Sequence, residues 1–152
     1  MVDSNQIWSV NETIENIGKL KQFDILFYEE PTNPDDVLGF KKIKDAHPDV
    51  NLATGEMIQN KVMFKQFLKM NSLMILQTDI NRLAGISEWL VVALLSNRFG
   101  IPICTHSGGV GLCQMAAHLA AIDYICISNS TTDRITEYVE HLQEHFEHPV
   151  II

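Results

Sequence analysis

The chain has 152 residues, enough for one domain around a single core. Its apolar fraction of 46% and charged fraction of 20% are ordinary for a globular protein, and a formal net charge of −8 argues against nucleic acid and against anionic membrane surfaces as partners. No apolar run approaches the roughly 18–20 residues that span a bilayer, and the opening MVDSNQIWSV has neither a basic stretch nor an apolar core, so no secretory signal is visible.

Short apolar strands alternate with amphipathic stretches along the chain. Val2 to Asn5 reads as the end of a strand, and Asn11 to Gln22 as a helix with Ile14, Ile17 and Leu20 at helical spacing. Ile25 to Tyr28 is the next strand, stopped by Glu29-Glu30-Pro31. Pro34-Asp35-Asp36 opens a helix, with proline and acids in its first turn. Val50 to Thr54 is a strand and Lys61 to Met70 a helix. Leu73 to Leu76 is a strand running into Gln77-Thr78-Asp79. Ile86 to Phe99 is a long apolar helix closed by Gly100. Ile101 to Cys104 is a strand, followed by Thr105-His106-Ser107, a glycine loop from Gly108 to Gly111, and a helix from Leu112 to Ala121. Tyr124 to Ser128 is read as the last strand and Ile135 to Phe146 as the last helix.

That rhythm makes six βα units of roughly 25 residues, which implies a parallel sheet covered by helices. An open doubly wound sheet and part of a (β/α)8 barrel both satisfy it. Cys104, Cys113 and Cys126 form no CxxC pair and are odd in number, which points to a reducing compartment and buried free thiols.

The polar residues fall in a pattern. Asp3, Glu29, Glu56, Asp79 and His106 each stand at or just past the C-terminal end of an expected strand, at steps of 23 to 27 residues. Any one of them alone reads as a turn or helix-cap residue. In a parallel barrel, however, all five strand ends open onto the face that carries the active site. Three carboxylates from neighbouring strands offer oxygen ligands to a hard cation such as Mg²⁺. Asp79 beside His106 would fix the imidazole tautomer and raise its basicity, giving a general acid or base.

The segments Asp3-Ser4-Asn5-Gln6, Glu29-Glu30-Pro31-Thr32, Ala53-Thr54-Gly55-Glu56, Gln77-Thr78-Asp79 and Cys104 to Cys113 resemble the barrel of the mandelate racemase branch of the enolase superfamily. Pro34-Asp35-Asp36, Phe64-Lys65-Gln66 and the tail from Glu137 to Phe146 resemble its L-fuconate dehydratase subgroup. The resemblance implies a partial TIM (β/α)8 barrel of about six βα units, strands 3 to 8. It implies Mg²⁺ held by Asp3, Glu29 and Glu56, with His106 as acid/base catalyst and Asp79 as its partner. Glu56, His106, Ser107, Gly108 and Glu137 would touch the substrate. The implied reaction is loss of water from a sugar acid resembling L-fuconate, by proton removal next to the carboxylate and departure of the neighbouring hydroxyl. It also implies a cytoplasmic or, in a eukaryote, mitochondrial setting, and self-association as a homo-oligomer.

The departures from the pattern shape a further expectation. The family's Lys-x-Lys base lies on the strand before the first Asp, and this sequence begins two residues before Asp3. The first two barrel strands and the capping domain are likewise outside it, so the expectation is an incomplete barrel. A relative that keeps the metal ligands without turnover is the alternative. Thr105-His106-Ser107 stands where the family usually has Pro-His-Ala, and Gln114 where relatives often have Glu. Glu137, His141 and His145 at i, i+4, i+8 would share a helix face, read as solvated.

Overall fold

The computed structural model describes residues 1–132, 134–140 and 143–151. Four short strands form one parallel sheet in chain order: β1 (Val2–Asp3), β2 (Tyr28–Glu29), β3 (Leu52–Thr54) and β4 (Ile75–Leu76). Asp3 pairs with Glu29, Glu29 with Ala53, and Thr54 with Leu76. A single parallel bridge, Leu76 to Ile103, extends the ladder to a fifth segment. Sequential parallel strands with intervening helices are the repeating unit of a barrel wall, and the chain is a portion of one.

The helices are α1 (Val10–Leu20), α2 (Val37–Ala46), α3 (Lys61–Met70), α4 (Ile86–Phe99) and α5 (Leu112–Ile122). Their starts follow local chemistry. Ser9 and Glu12 form a reciprocal capping box on α1, Asp36 caps α2 through the Gly39 amide, and Asn60 caps α3 through the amides of Val62 and Met63. Gly100 ends α4 at φ 71°, a left-handed conformation that glycine adopts without steric cost.

The core lies between the sheet and the helix layer. Ile17, Phe40, Ile43, Leu52, Phe64, Phe67, Leu76, Trp89 and Val92 are fully buried. Phe40 and Phe67 meet edge to face, with centroids 5.2 Å apart. Trp89 Nε1 donates to Thr78 Oγ1 at 2.9 Å, so this buried indole keeps a hydrogen bond and pins α4 against the end of β4.

Two expectations fail at the C-terminal end. Tyr124 to Ser128 is not a strand: Asp123–Ile127 continues α5 as a π-helical turn. Ile125 is 72% exposed and Cys126 is exposed, so the apolar run has no sheet to enter. Ser128 closes the turn, its amide and hydroxyl both donating to Asp123 O at 2.8 and 2.9 Å. Nor do the described residues from Ile135 to Phe146 form a helix. Residues 134–140 lack helical structure, and only Gln143–His145 makes a 3₁₀ turn. Hydrogen bonds to distant parts of the same chain hold this segment. Ser107 binds Glu137, and the Cys113 thiol donates to Val139 O at 3.2 Å, bonds that a local helix would forgo. The shared helix face expected for Glu137 and His145 is therefore absent, and His141 lies outside the described residues.

Candidate active site

The strand ends bring the polar residues to one mouth. Asp3 and Glu29 are register partners at the ends of β1 and β2. Glu56 follows β3 through Gly55, whose φ is +146° and where an added Cβ would sit 2.1 Å from Gln77 O. Only glycine fits there, and this close approach carries Glu56 up to the end of the neighbouring strand.

Asp79 is 3% exposed and its two oxygens work separately. Oδ1 accepts from the Asn81 amide at 2.7 Å, a local turn bond, while Oδ2 lies 2.9 Å from His106 Nδ1. That contact makes Nδ1 the protonated donor and turns Nε2 toward Glu56, whose Oε2 is 3.3 Å away. Gly108 leaves space on that side, since a Cβ there would sit 2.7 Å from Nε2. Ser107 and Glu137 also meet. The Ser107 amide donates to Glu137 Oε2 and its hydroxyl to Glu137 O, both at 2.6 Å.

Burial and like charge dominate the electrostatics. Burial pushes the Glu29 carboxyl up to about 7, and the charges of Asp3, Glu137 and Glu56 add to it against the Gln77 hydrogen bond. Glu30, 1% exposed, is also pushed up to about 7, chiefly by burial, although Gln6 and Thr54 donate to it. Glu56 is raised by burial and by neighbouring carboxylates, against the pull of His106. Burial works against a charged His106, but Asp79, Glu56 and Glu137 outweigh it and raise its pKa. For Asp79 burial is likewise outweighed, by the His106 and Asn81 hydrogen bonds, and its pKa falls. The imidazole and the Asp79 carboxylate thus stabilise each other's charged forms.

The three carboxylates assigned to a cation each face a protein partner. Asp3 Oδ1 accepts from the Asn5 amide at 2.8 Å, Glu29 Oε1 from Gln77 Nε2 at 2.6 Å, and Glu56 faces His106. Among the described residues no three Asp, Glu, His or Cys side chains close around one point. The donor set itself is all oxygen and rich in negative charge, which is the chemistry a hard divalent cation requires. A cavity of about 340 Å³ adjoins the imidazole, lined by Asp79, Asn81, Arg82, His106, Gly108, Gly109 and Leu112. Gln77 lies in the segment Gln77-Thr78-Asp79, and its contact with Glu29 is not among the site roles that the sequence implies. Its signal is the strand alternation: Gln77 and Asp79 share a face, while Thr78 between them meets Trp89 in the helix layer.

No helix among the described residues is long and apolar enough to cross a membrane. The crystal structure of human mitochondrial enolase superfamily member 1 superposes with a TM-score of 0.96 at 47% identity, over 100% of this chain and 35% of that one. L-galactonate dehydratase of Hypocrea jecorina is 47% identical over 100% of this chain and 34% of its own length. The structure of L-talarate/galactarate dehydratase from Salmonella typhimurium LT2, liganded with Mg and L-lyxarohydroxamate, matches at 28% identity with a TM-score of 0.75, over 92% of this chain and 33% of that one. The chain therefore spans about a third of the length of these relatives. Residues 1–152 match the family described as Enolase C-terminal domain-like, and the chain belongs to that family.

Proposed function

We propose that this chain supplies the cation-holding and acid/base portion of an acid-sugar dehydratase active site. The observation that carries the reading is the imidazole held between two carboxylates: His106 Nδ1 is 2.9 Å from Asp79 and Nε2 is 3.3 Å from Glu56. The named activities of relatives support the substrate class: one acts on L-galactonate and another on L-talarate or galactarate. The substrate is a small sugar acid, and L-fuconate is the compound we propose to test first.

Asp3, Glu29 and Glu56 would hold Mg²⁺, the metal of the Salmonella relative's structure. When bound, the ion supplies Lewis-acid stabilisation of negative charge developing on the substrate carboxylate. His106 works from Nε2, because Nδ1 is engaged by Asp79. Its raised pKa favours the protonated ring, suited to deliver a proton to the departing hydroxyl, which leaves as water. Asp79 holds the ring in place and offsets its charge. Glu137 and Ser107 lock the loop beside the ring, so that the Ser107-Gly108 backbone borders the substrate. Removal of the proton next to the carboxylate falls to a base on the preceding barrel strand of the family. Self-association is part of the proposal, and so is a mitochondrial setting, after the name of the human relative.

Calorimetric titration with Mg²⁺, alongside an assay for 2-keto-3-deoxy acid formation from L-fuconate, tests the reading. Asp3→Ala, Glu29→Ala and Glu56→Ala should each weaken Mg²⁺ binding at least tenfold, while His106→Asn should leave binding intact and abolish dehydration by the complete enzyme. Mg²⁺ binding that is equal in wild type and all three carboxylate variants would refute it.

A further inference from the structure

We infer that Gln77 is a positioning residue for the proposed cation site, acting through the Glu29 carboxylate. The inference rests on Glu29 being a ligand, as proposed above. Gln77 is 3% exposed and its Nε2 donates to Glu29 Oε1 at 2.6 Å, across 48 residues of sequence. In this contact the amide nitrogen is the donor and the carboxylate oxygen the acceptor.

The contact reaches past a strand. β2 carries Glu29, Gln77 follows β4, and β3 lies between them. The two side chains therefore meet over β3, on the face that holds the other carboxylates. Gly55 makes that crossing rigid. The Gln77 amide donates to Thr54 O at 2.9 Å, and the Gly55 Cα packs so closely on the Gln77 carbonyl that no side chain fits between. These contacts fix the Gln77 backbone from which the side-chain amide reaches Glu29.

A carboxylate with one oxygen fixed presents the other in a defined direction. Gln77 Nε2 is the donor that fixes Glu29 Oε1 in this way. The same amide keeps Oε1 buried and without a hydrogen-bond partner among the described residues. A purely structural glutamine would be expected to satisfy both ends of its amide. This one gives its donor to a single carboxylate.

The test is Mg²⁺ titration of the full chain, with Mn²⁺ and its paramagnetic resonance signal as a second probe. Gln77→Met keeps the length and removes the donor. Loss of outer-shell partners of this kind typically costs about ten- to hundred-fold in metal affinity, and that loss is expected here. Gln77→Asn, which keeps the amide but withdraws it by one methylene, should weaken binding in the same direction and serves if the Met variant does not fold. In a Glu29→Gln background, Gln77→Met should change affinity less than twofold, because the residue acts through Glu29. Wild-type affinity in folded Gln77→Met, or an equal loss in both backgrounds, would overturn the inference while leaving the cation site standing. Failure of the wild type to bind Mg²⁺ or Mn²⁺ would strike the proposed function itself, and the role of Gln77 with it.

Discussion

Residues 1–107 and the described residues of 112–151 build their structure in different ways. In the first region each strand end finds a parallel partner one unit along, and α1, α2 and α3 are each started by a side chain next to them in sequence. In the second region α5 runs on into a π-helical turn, and the segment after it is fastened by side chains: Glu137 to Ser107, Tyr138 Oη to Val150 O at 3.3 Å, and Cys113 to Val139. The first region owes its order to repeated backbone ladders over a shared core. The second owes it to a few particular contacts. Cooperative loss is therefore expected in one and local loss in the other.

The largest expected effect breaks the first region. Phe67→Ala removes a fully buried ring and its edge contact with Phe40, and should cost about 3–5 kcal/mol by urea denaturation. Hydrogen exchange should then accelerate across α1 to α4 together. Acceleration confined to α3 would contradict the single shared core.

The next effect is set by pH, read in the presence of chelator. Glu29 and Glu30 hold their protons up to about pH 7 when folded, against a usual value of 4.5. The folded chain therefore binds more protons than the unfolded chain between those limits, and stability falls as pH rises through that window. His106 acts in the same sense. Its folded pKa is above 6.5, so its contribution is complete below 6.5 and is lost as pH rises through the folded value. Asp79, held below 3.8, contributes above that value and loses its contribution as pH falls through the folded value. A melting temperature that climbs from pH 5 to pH 7 would contradict this balance, and with it the uncompensated acidic mouth.

The smallest effect concerns the second region. Glu137→Ala leaves the Ser107 amide without its acceptor and should cost about 1–3 kcal/mol. Exchange at Ser107 and proteolysis within 134–140 should accelerate, while α1 to α3 keep wild-type protection. Loss of protection throughout would show that the tail is part of the same cooperative unit.

The contrast also explains which expectations held. Lys61–Met70 and Ile86–Phe99 occupy the expected residues because Asn60 and Gly100 punctuate them locally. Tyr124 to Ser128 misled because β-branched residues in a short run carry no information about whether a sheet edge is within reach. Ile135, Tyr138 and Val139 have helical spacing, yet their segment has better partners elsewhere. At the site, the strand-end positions of Asp3, Glu29, Glu56, Asp79 and His106 were legible from spacing. The separate use of the two Asp79 oxygens and the reach of Gln77 over β3 were not.

The amino-acid sequence by itself determined the βα rhythm, the helix caps and the level at which each acidic residue leaves its strand, because period, capping and turn chemistry act over a few residues. Only the tertiary structure decided what those residues touch: which imidazole nitrogen Asp79 takes, that Gln77 meets Glu29, and that Glu137 closes on Ser107 from a segment without helical structure. Such contacts join residues 27 to 48 positions apart, and their geometry depends on strand register and on close backbone approach at Gly55. Neither leaves a mark in local sequence pattern.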